Sequence, residues 1–162
     1  VKPLDMFDRH SYQKGGHVLH MLRDYLGDEA FFEGLKYYLN AHAYQSVEIH
    51  DLRLAMEKVS GLDLKWFFDQ WFLGAGHPIL NINHSLSTFE DGVYNYQIFV
   101  EQMVSTPRNG VFKLPVKIAV EYENGNSEIL EMQIDSELDT LQFSSEVKPV
   151  SVIFDPSRIL LA

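Results

Sequence analysis

Tyr12, Lys14 and the pair Gly15-Gly16 are the residues of this 162-residue chain whose types and spacing first invite chemistry. A phenol is a hydrogen-bond donor and acceptor, and Tyr12 presents one three residues ahead of the first glycine. Each glycine in a helical turn costs up to ~1 kcal/mol relative to alanine. Such a pair is explained if another backbone or a ligand must come close. A core tyrosine on a tightly packed helix accounts for the same letters, and periodicity alone leaves both readings open.

The seven histidines raise a metal hypothesis. Only His17 and His20 share a helix, at i and i+3, and no carboxylate is placed to complete a site. The zinc signature H-E-x-x-H, with histidines at i and i+4 and a glutamate base, is absent, as is G-x-M-E-N. No G-x-S-x-G, cysteine nucleophile or phosphate loop appears. Asp24, Asp28, Glu29 and Glu33 follow one another near a helix junction and read as a solvated acidic face. Lys14 reads as a positioning or ion-pair residue.

The elements that must position these residues come in two kinds. Apolar Val18, Leu19, Leu22, Tyr25 and Leu26 recur at helical spacing over 11–26, and Gly27-Asp28 supplies the stop. A second helix spans 29–41, with Phe31, Phe32, Leu35, Tyr38 and Leu39 apolar. A third spans 49–59, with Leu52, Leu54, Ala55, Met56 and Val59 apolar and Gly61 closing it. A fourth spans 64–73, capped by Asp63. Trp66, Phe67, Trp71 and Phe72 predict that it is buried on several sides. Residues 1–10 read as a lead-in loop or as the tail of something upstream.

After Gly74 the period changes from 3.6 to 2. Strands are predicted at 79–86, 93–104, 111–123, 127–134, 140–144, 150–154 and 159–161. Phe112, Leu114, Val116, Ile118, Val120 and Tyr122 alternate with Lys113, Lys117, Glu121 and Glu123. Asn124-Gly125 and residues 108–110 are turn signals, and Pro115 places its strand at an edge or a bulge. The fold class is α+β by segregated halves: a four-helix subdomain, then an antiparallel β-sandwich of about seven strands.

Apolar residues at 46% and aromatics at 13% are enough for a packed core. A formal charge of -10 argues against a nucleic-acid surface. No apolar run approaches the roughly 18 residues that would span a bilayer, and no signal peptide opens the chain. The absence of cysteine excludes a disulfide framework and a thiolate zinc site. It fits a cytoplasmic protein without excluding a periplasmic one.

Tyr12-x-Lys14-Gly15, the apolar run through Met21-Leu22, the Gly27-Asp28 stop and F-x-x-G-L-x-x-Y from Phe31 form an ordered series. It continues through D-L-R-L-A-M-E-K-V-S-G from Asp51, D-L-K-W-F-F-D-Q-W from Asp63 and Gly76-His77-Pro78. This series resembles the zinc aminopeptidase family of aminopeptidase N. The likeness is fainter beyond residue 82, where it rests on position and a closing F-D-P-S-R-I-L-L. The resemblance implies that 1–76 is the helical end of a metallopeptidase catalytic domain and 77–162 an immunoglobulin-like sandwich. It implies a zinc-bound water, with a glutamate as base, attacking the first carbonyl of a peptide whose free amine is held by acidic residues. Zinc ligands and acids would lie upstream of Val1, so the chain alone is expected to be inactive and to bind no zinc. Tyr12 is the one catalytic position that carries over, as donor to the tetrahedral oxyanion. The implied partner is a peptide with a free N-terminus, without nucleic acid or membrane. Self-association is expected through an apolar helical face of residues 11–73, above all around Trp66 to Phe72, and not through the sandwich. The alternative is a non-catalytic interaction module derived from such an enzyme; a carbohydrate-binding sandwich has only the β half and the aromatic content in its favour.

Overall fold

A computed structural model describes residues 10–89, 92–105 and 110–162. Most of the expected lead-in over 1–10, and all of the 108–110 turn but Gly110, lie outside the described residues. The chain divides into two compact units, Val1–Ala75 and Gly76–Leu160.

The first unit is helical. A π-helical turn, His10–Lys14, runs without a break into α1, Gly15–Leu26, then α2, Asp28–Ala41, and α3, Ile49–Ser60. The short α4, Lys65–Phe68, continues as a second π-helical turn, Asp69–Leu73. The fourth predicted helix is thus one run in two geometries, its wider second part carrying buried Trp71. Asp63 accepts the Lys65 N–H at 2.8 Å, the service of a helix cap. Gly61 closes α3 at φ 72°, in the left-handed region open to glycine.

The apolar stripes are narrower than the sequence suggests. Val18, Met21 and Leu22 are buried on α1, and Tyr25 is turned outward to meet Trp66 edge-on at 5.6 Å. On α2 the buried row is Phe31 and Gly34, with Leu35 and Tyr38 half-buried, whereas Phe32 and Leu39 are exposed. On α3, Leu54 and Val59 are likewise exposed. The reason is close packing of α2 on α3: a Cβ on Gly34 would meet the Met56 sulfur at 2.5 Å. Helices that approach this closely bury a thin seam and leave flanking apolar residues outside it. Around α4 the expected apolar face is mostly covered. Phe67, Phe68 and Trp71 are buried, Trp66 and Phe72 are half-buried, and Phe68 stacks on Phe72 at 4.9 Å.

The second unit is a sandwich of two three-stranded antiparallel sheets. Its strands are β1 (Pro78–Thr88), β2 (Tyr94–Val104), β3 (Leu114–Tyr122), β4 (Ser127–Ile134), β5 (Leu138–Ser145) and β6 (Pro149–Phe154). The orders are β1-β2-β5 and β4-β3-β6. Tyr96, Ile98 and Val100 of β2 and Leu114, Val116, Ile118 and Val120 of β3 supply the inward faces, at the predicted alternation. Asn124-Gly125 makes the β3–β4 turn, with Gly125 at φ 84° and its N–H on the Tyr122 carbonyl.

Three details of the sandwich differ from expectation. No seventh strand forms at 159–161, because the Asp155 carboxylate accepts the N–H groups of Ile159 and Leu160, each at 2.9 Å. Those donors are used locally instead of in a ladder. Residues 111–113 precede β3 instead of belonging to it: buried Gln102 binds Phe112 through both backbone groups, at 2.6 and 3.0 Å. Pro115 lies on a central strand, and the register shift falls at Glu121/Tyr122 instead. The proline is tolerated because β6 pairing starts only at Ile118, so that end of β3 has a neighbour on one side alone.

Candidate functional site

Tyr12 sits in the π-helical turn that leads into α1 and is 64% exposed. A π turn inserts an extra residue per turn, is rare, and concentrates at functional sites. Here no cap residue starts α1: Lys14 is already helical at φ -62°, ψ -47°, so the wide turn itself passes the backbone hydrogen bonding on.

Gly15 and Gly16 stand three and four residues beyond Tyr12, the spacing of surface neighbours on a helix. A Cβ built on either meets nothing within 4 Å. The close backbone approach that the pair suggested is therefore not found among the described residues. Among the described residues, the glycines leave a bare strip of helix beside an exposed phenol. Lys14, next in the motif, is half-buried.

The other singled-out side chains make contacts of their own. His17 and His20 meet edge-on with ring centres 6.4 Å apart, a contact between neighbouring turns. Among the described residues no three His, Cys, Asp or Glu side chains group closely enough to hold a metal ion. A zinc site does not fit these residues. The acidic series at the α1–α2 junction is partly paired. Arg23 grips Asp28 through two bonds of 2.7 and 2.8 Å, and Lys36 binds Glu33 at 3.1 Å. The hydrogen bonds and charge of Arg23 hold the Asp28 carboxyl below the usual carboxylate range, and the same bonds raise Arg23. Arg23 also lies over the Phe32 ring, 5.0 Å from its centre. The sequence carries the sign of this fork, an arginine and an aspartate flanking Gly27, though helical spacing alone does not pair residues five apart.

Residues 1–71 match the model of the peptidase family M1 domain. Over 136 residues the chain is 32% identical to "Tricorn protease-interacting factor F2" of Thermoplasma acidophilum, covering 84% of this chain and 16% of that protein. Over 70 residues it is 43% identical to aminopeptidase N of Lactococcus lactis, covering 43% of this chain and 8% of that protein. The chain thus spans less than a fifth of the length of these relatives. The solved structure of Legionella pneumophila aminopeptidase A, in complex with aspartic acid, superposes with a TM-score of 0.70 at 19% identity. It covers 91% of this chain and 17% of that one, a likeness of fold. Among the described residues no helix is long and apolar enough to cross a membrane.

Proposed function

We propose that this chain, which is related to the M1 aminopeptidases through its residues 1–71, forms part of an aminopeptidase active site with Tyr12 as the oxyanion donor. Several of its relatives are aminopeptidases, which are hydrolases. The observation that carries the proposal is the exposed phenol on a π turn beside two glycines with open space around them. In peptide hydrolysis, addition of water to the carbonyl carbon drives negative charge onto the carbonyl oxygen. An exposed hydroxyl on a helical turn, with two glycines three and four residues on, can donate to that oxygen as the charge appears. The substrate would be a peptide with a free N-terminus. Because the described residues do not fit a zinc site, the metal of such an enzyme would be held by other residues. The two units would then be the helical end of a catalytic domain, 1–76, and the sandwich that follows it, 77–162.

A non-catalytic interaction module is the second reading. It draws on the name of the Thermoplasma relative, a factor that interacts with a protease. Tyr12→Phe in the complete enzyme separates the two, since it keeps the ring and removes the donor. Loss of one oxyanion donor lowers turnover by about 100- to 1,000-fold. The bond is made chiefly in the transition state, so kcat falls while KM moves little. Steady-state kinetics that leave kcat within a few-fold of the parent would reject the catalytic role of Tyr12.

A further inference from the structure

Strand β1 is the end strand of its sheet, pairing with β2 along all eleven residues from Pro78↔Val104 to Thr88↔Tyr94 without a register shift. Natural edge strands are usually blunted by charge, proline, a bulge or shortness. The other three edges of the sandwich show such devices. Strand β4 carries Glu128 and Glu131, β5 carries Asp139, and β6 is six residues long and starts at Pro149. Strand β1, P-I-L-N-I-N-H-S-L-S-T, carries no carboxylate, lysine or arginine, and no proline after its first residue. Ile79, Ile82 and Leu86 are each 40–43% exposed along it.

The two faces of β1 have different chemistry. Leu80, Ile82, His84 and Leu86 pair with buried Gln102, Val100, Ile98 and Tyr96 and so stand on the core side. Asn81, Asn83 and Ser85 stand on the other. On the core side, beside the first half of β1, lies an open groove of about 370 Å³ lined by Leu80, Ile82, Phe154, Leu160 and Ala162, with Asp155 and Arg158.

We propose that β1 is a self-pairing edge, occupied by β1 of a second copy of this chain laid antiparallel with Asn83 opposite its own counterpart. That register is self-complementary. It sets Leu80 opposite the partner's Leu86, Ile82 opposite the partner's His84, and Asn81 opposite the partner's Ser85. On the core side Leu80 meets Leu86 and Ile82 meets His84; on the other, amides and hydroxyls meet, with Ile79 against Ser87 at the ends, and no like charges face. The groove lies beside the first half of β1, and antiparallel pairing brings the second half of the partner strand to it, so that each Leu86 enters the groove of the other copy. The arrangement is isologous, and it consumes both unprotected edges. It yields one continuous six-stranded sheet ended on each side by β5, not an open fibre.

The test is a charge swap at the symmetry axis, where Asn83 is exposed and faces away from the core. Light scattering is expected to show a dimer for the 162-residue chain. Asn83→Lys and Asn83→Asp, each alone, are expected to be monomeric, because each sets two like charges opposite one another. Mixed in equal amounts, the two variants are expected to form a heterodimer. The rescue on mixing keeps the test readable even if one variant is weakened. A parent chain that stays monomeric at its highest soluble concentration overturns the proposal, as does growth into polydisperse aggregates. Single variants that remain dimeric would place the contact elsewhere, for example on exposed Phe32, Leu39 and Leu54, and would also overturn it.

Discussion

In the helical unit, burial is concentrated. Phe67, Phe68 and Trp71 sit buried within five residues, with Leu64 buried just before them and Val18, Leu22, Phe31 and Met56 buried on the longer helices. Around this seam, Phe32, Leu39, Leu54 and Leu73 are more than half exposed. In the sandwich, burial is spread evenly, every second residue along β2 and β3, and a buried amide, Gln102, works in the same core. A thin aromatic seam makes one helical unit depend on a few large side chains. A double sheet shares the load and can accommodate a polar staple, provided both ends of the amide are bonded.

The contrast is broken most directly at Phe68, which is fully buried and stacked on Phe72. Phe68→Ala removes a ring from the seam and leaves a cavity that the short α4 cannot close. The expected cost is about 3–5 kcal/mol, read as a fall in denaturant midpoint with the slope unchanged. A loss below that of a single β3 truncation such as Val116→Ala would show that the helical unit spreads its burial after all.

Gln102 sharpens the other side. Its side chain accepts the Phe112 N–H and donates to the Phe112 carbonyl, standing in for strand pairing just ahead of β3. Gln102→Leu keeps the volume and removes both bonds, with an expected loss of about 1–3 kcal/mol. Gln102→Glu keeps an acceptor for the N–H but loses the donor and buries a carboxyl, so it should fare no better. Chemical denaturation of the two variants checks this. A neutral Gln102→Leu would mean that alternation alone holds β2 and its neighbours together.

The same contrast explains what could be read from the letters. Alternation from Leu114 to Val120 names the core of β3 correctly because a strand has only two faces, and a one-residue error would put Lys117 inside. On α2, helical spacing admits both Phe31 and Phe32, and only the depth of the Gly34–Met56 approach decides that Phe32 stays out. Widening of the helix at His10–Lys14 and Asp69–Leu73 is not read from the apolar spacing, because a π turn differs from an α turn in its i→i+5 hydrogen bonding. Tyr12 and its glycines were legible as a motif, and their spacing also told where a bare strip of helix would lie. It did not tell whether another backbone would fill that strip. The missing strand at 159–161 failed for a local reason: an aspartate four residues upstream took the donors that a strand would have shared.

The smallest effect concerns proton balance in the sandwich. Tyr122 ends β3 and bonds through its hydroxyl to Glu128 across the hairpin. Partial burial, the hydrogen bond to Glu128 and the negative charge of Glu128 push its pKa up from 10.0 to about 12, with a bond to Ser145 acting the other way. The folded state therefore holds the phenolic proton more tightly than the unfolded chain does. This contribution is fully present below pH 10.0, the value expected when unfolded, and is lost as pH rises toward about 12. Lysines titrate in the same range, so the informative quantity is the difference between the chain and Tyr122→Phe. Below pH 9 that difference in Tm should be constant; above it, the parent should lose stability with pH faster than the variant. The effect should be modest, because the hairpin end is largely in water and a screened surface pair contributes little. Asp28, which is paired with Arg23 in the helical unit, has the opposite sign. Its lowered pKa gives a contribution present above the ordinary carboxylate range and lost on acidification, so Asp28→Asn should flatten the acid limb and leave the alkaline one alone. Parallel alkaline limbs for the parent chain and Tyr122→Phe would show that neither burial nor the Glu128 bond raises the phenol in the folded chain.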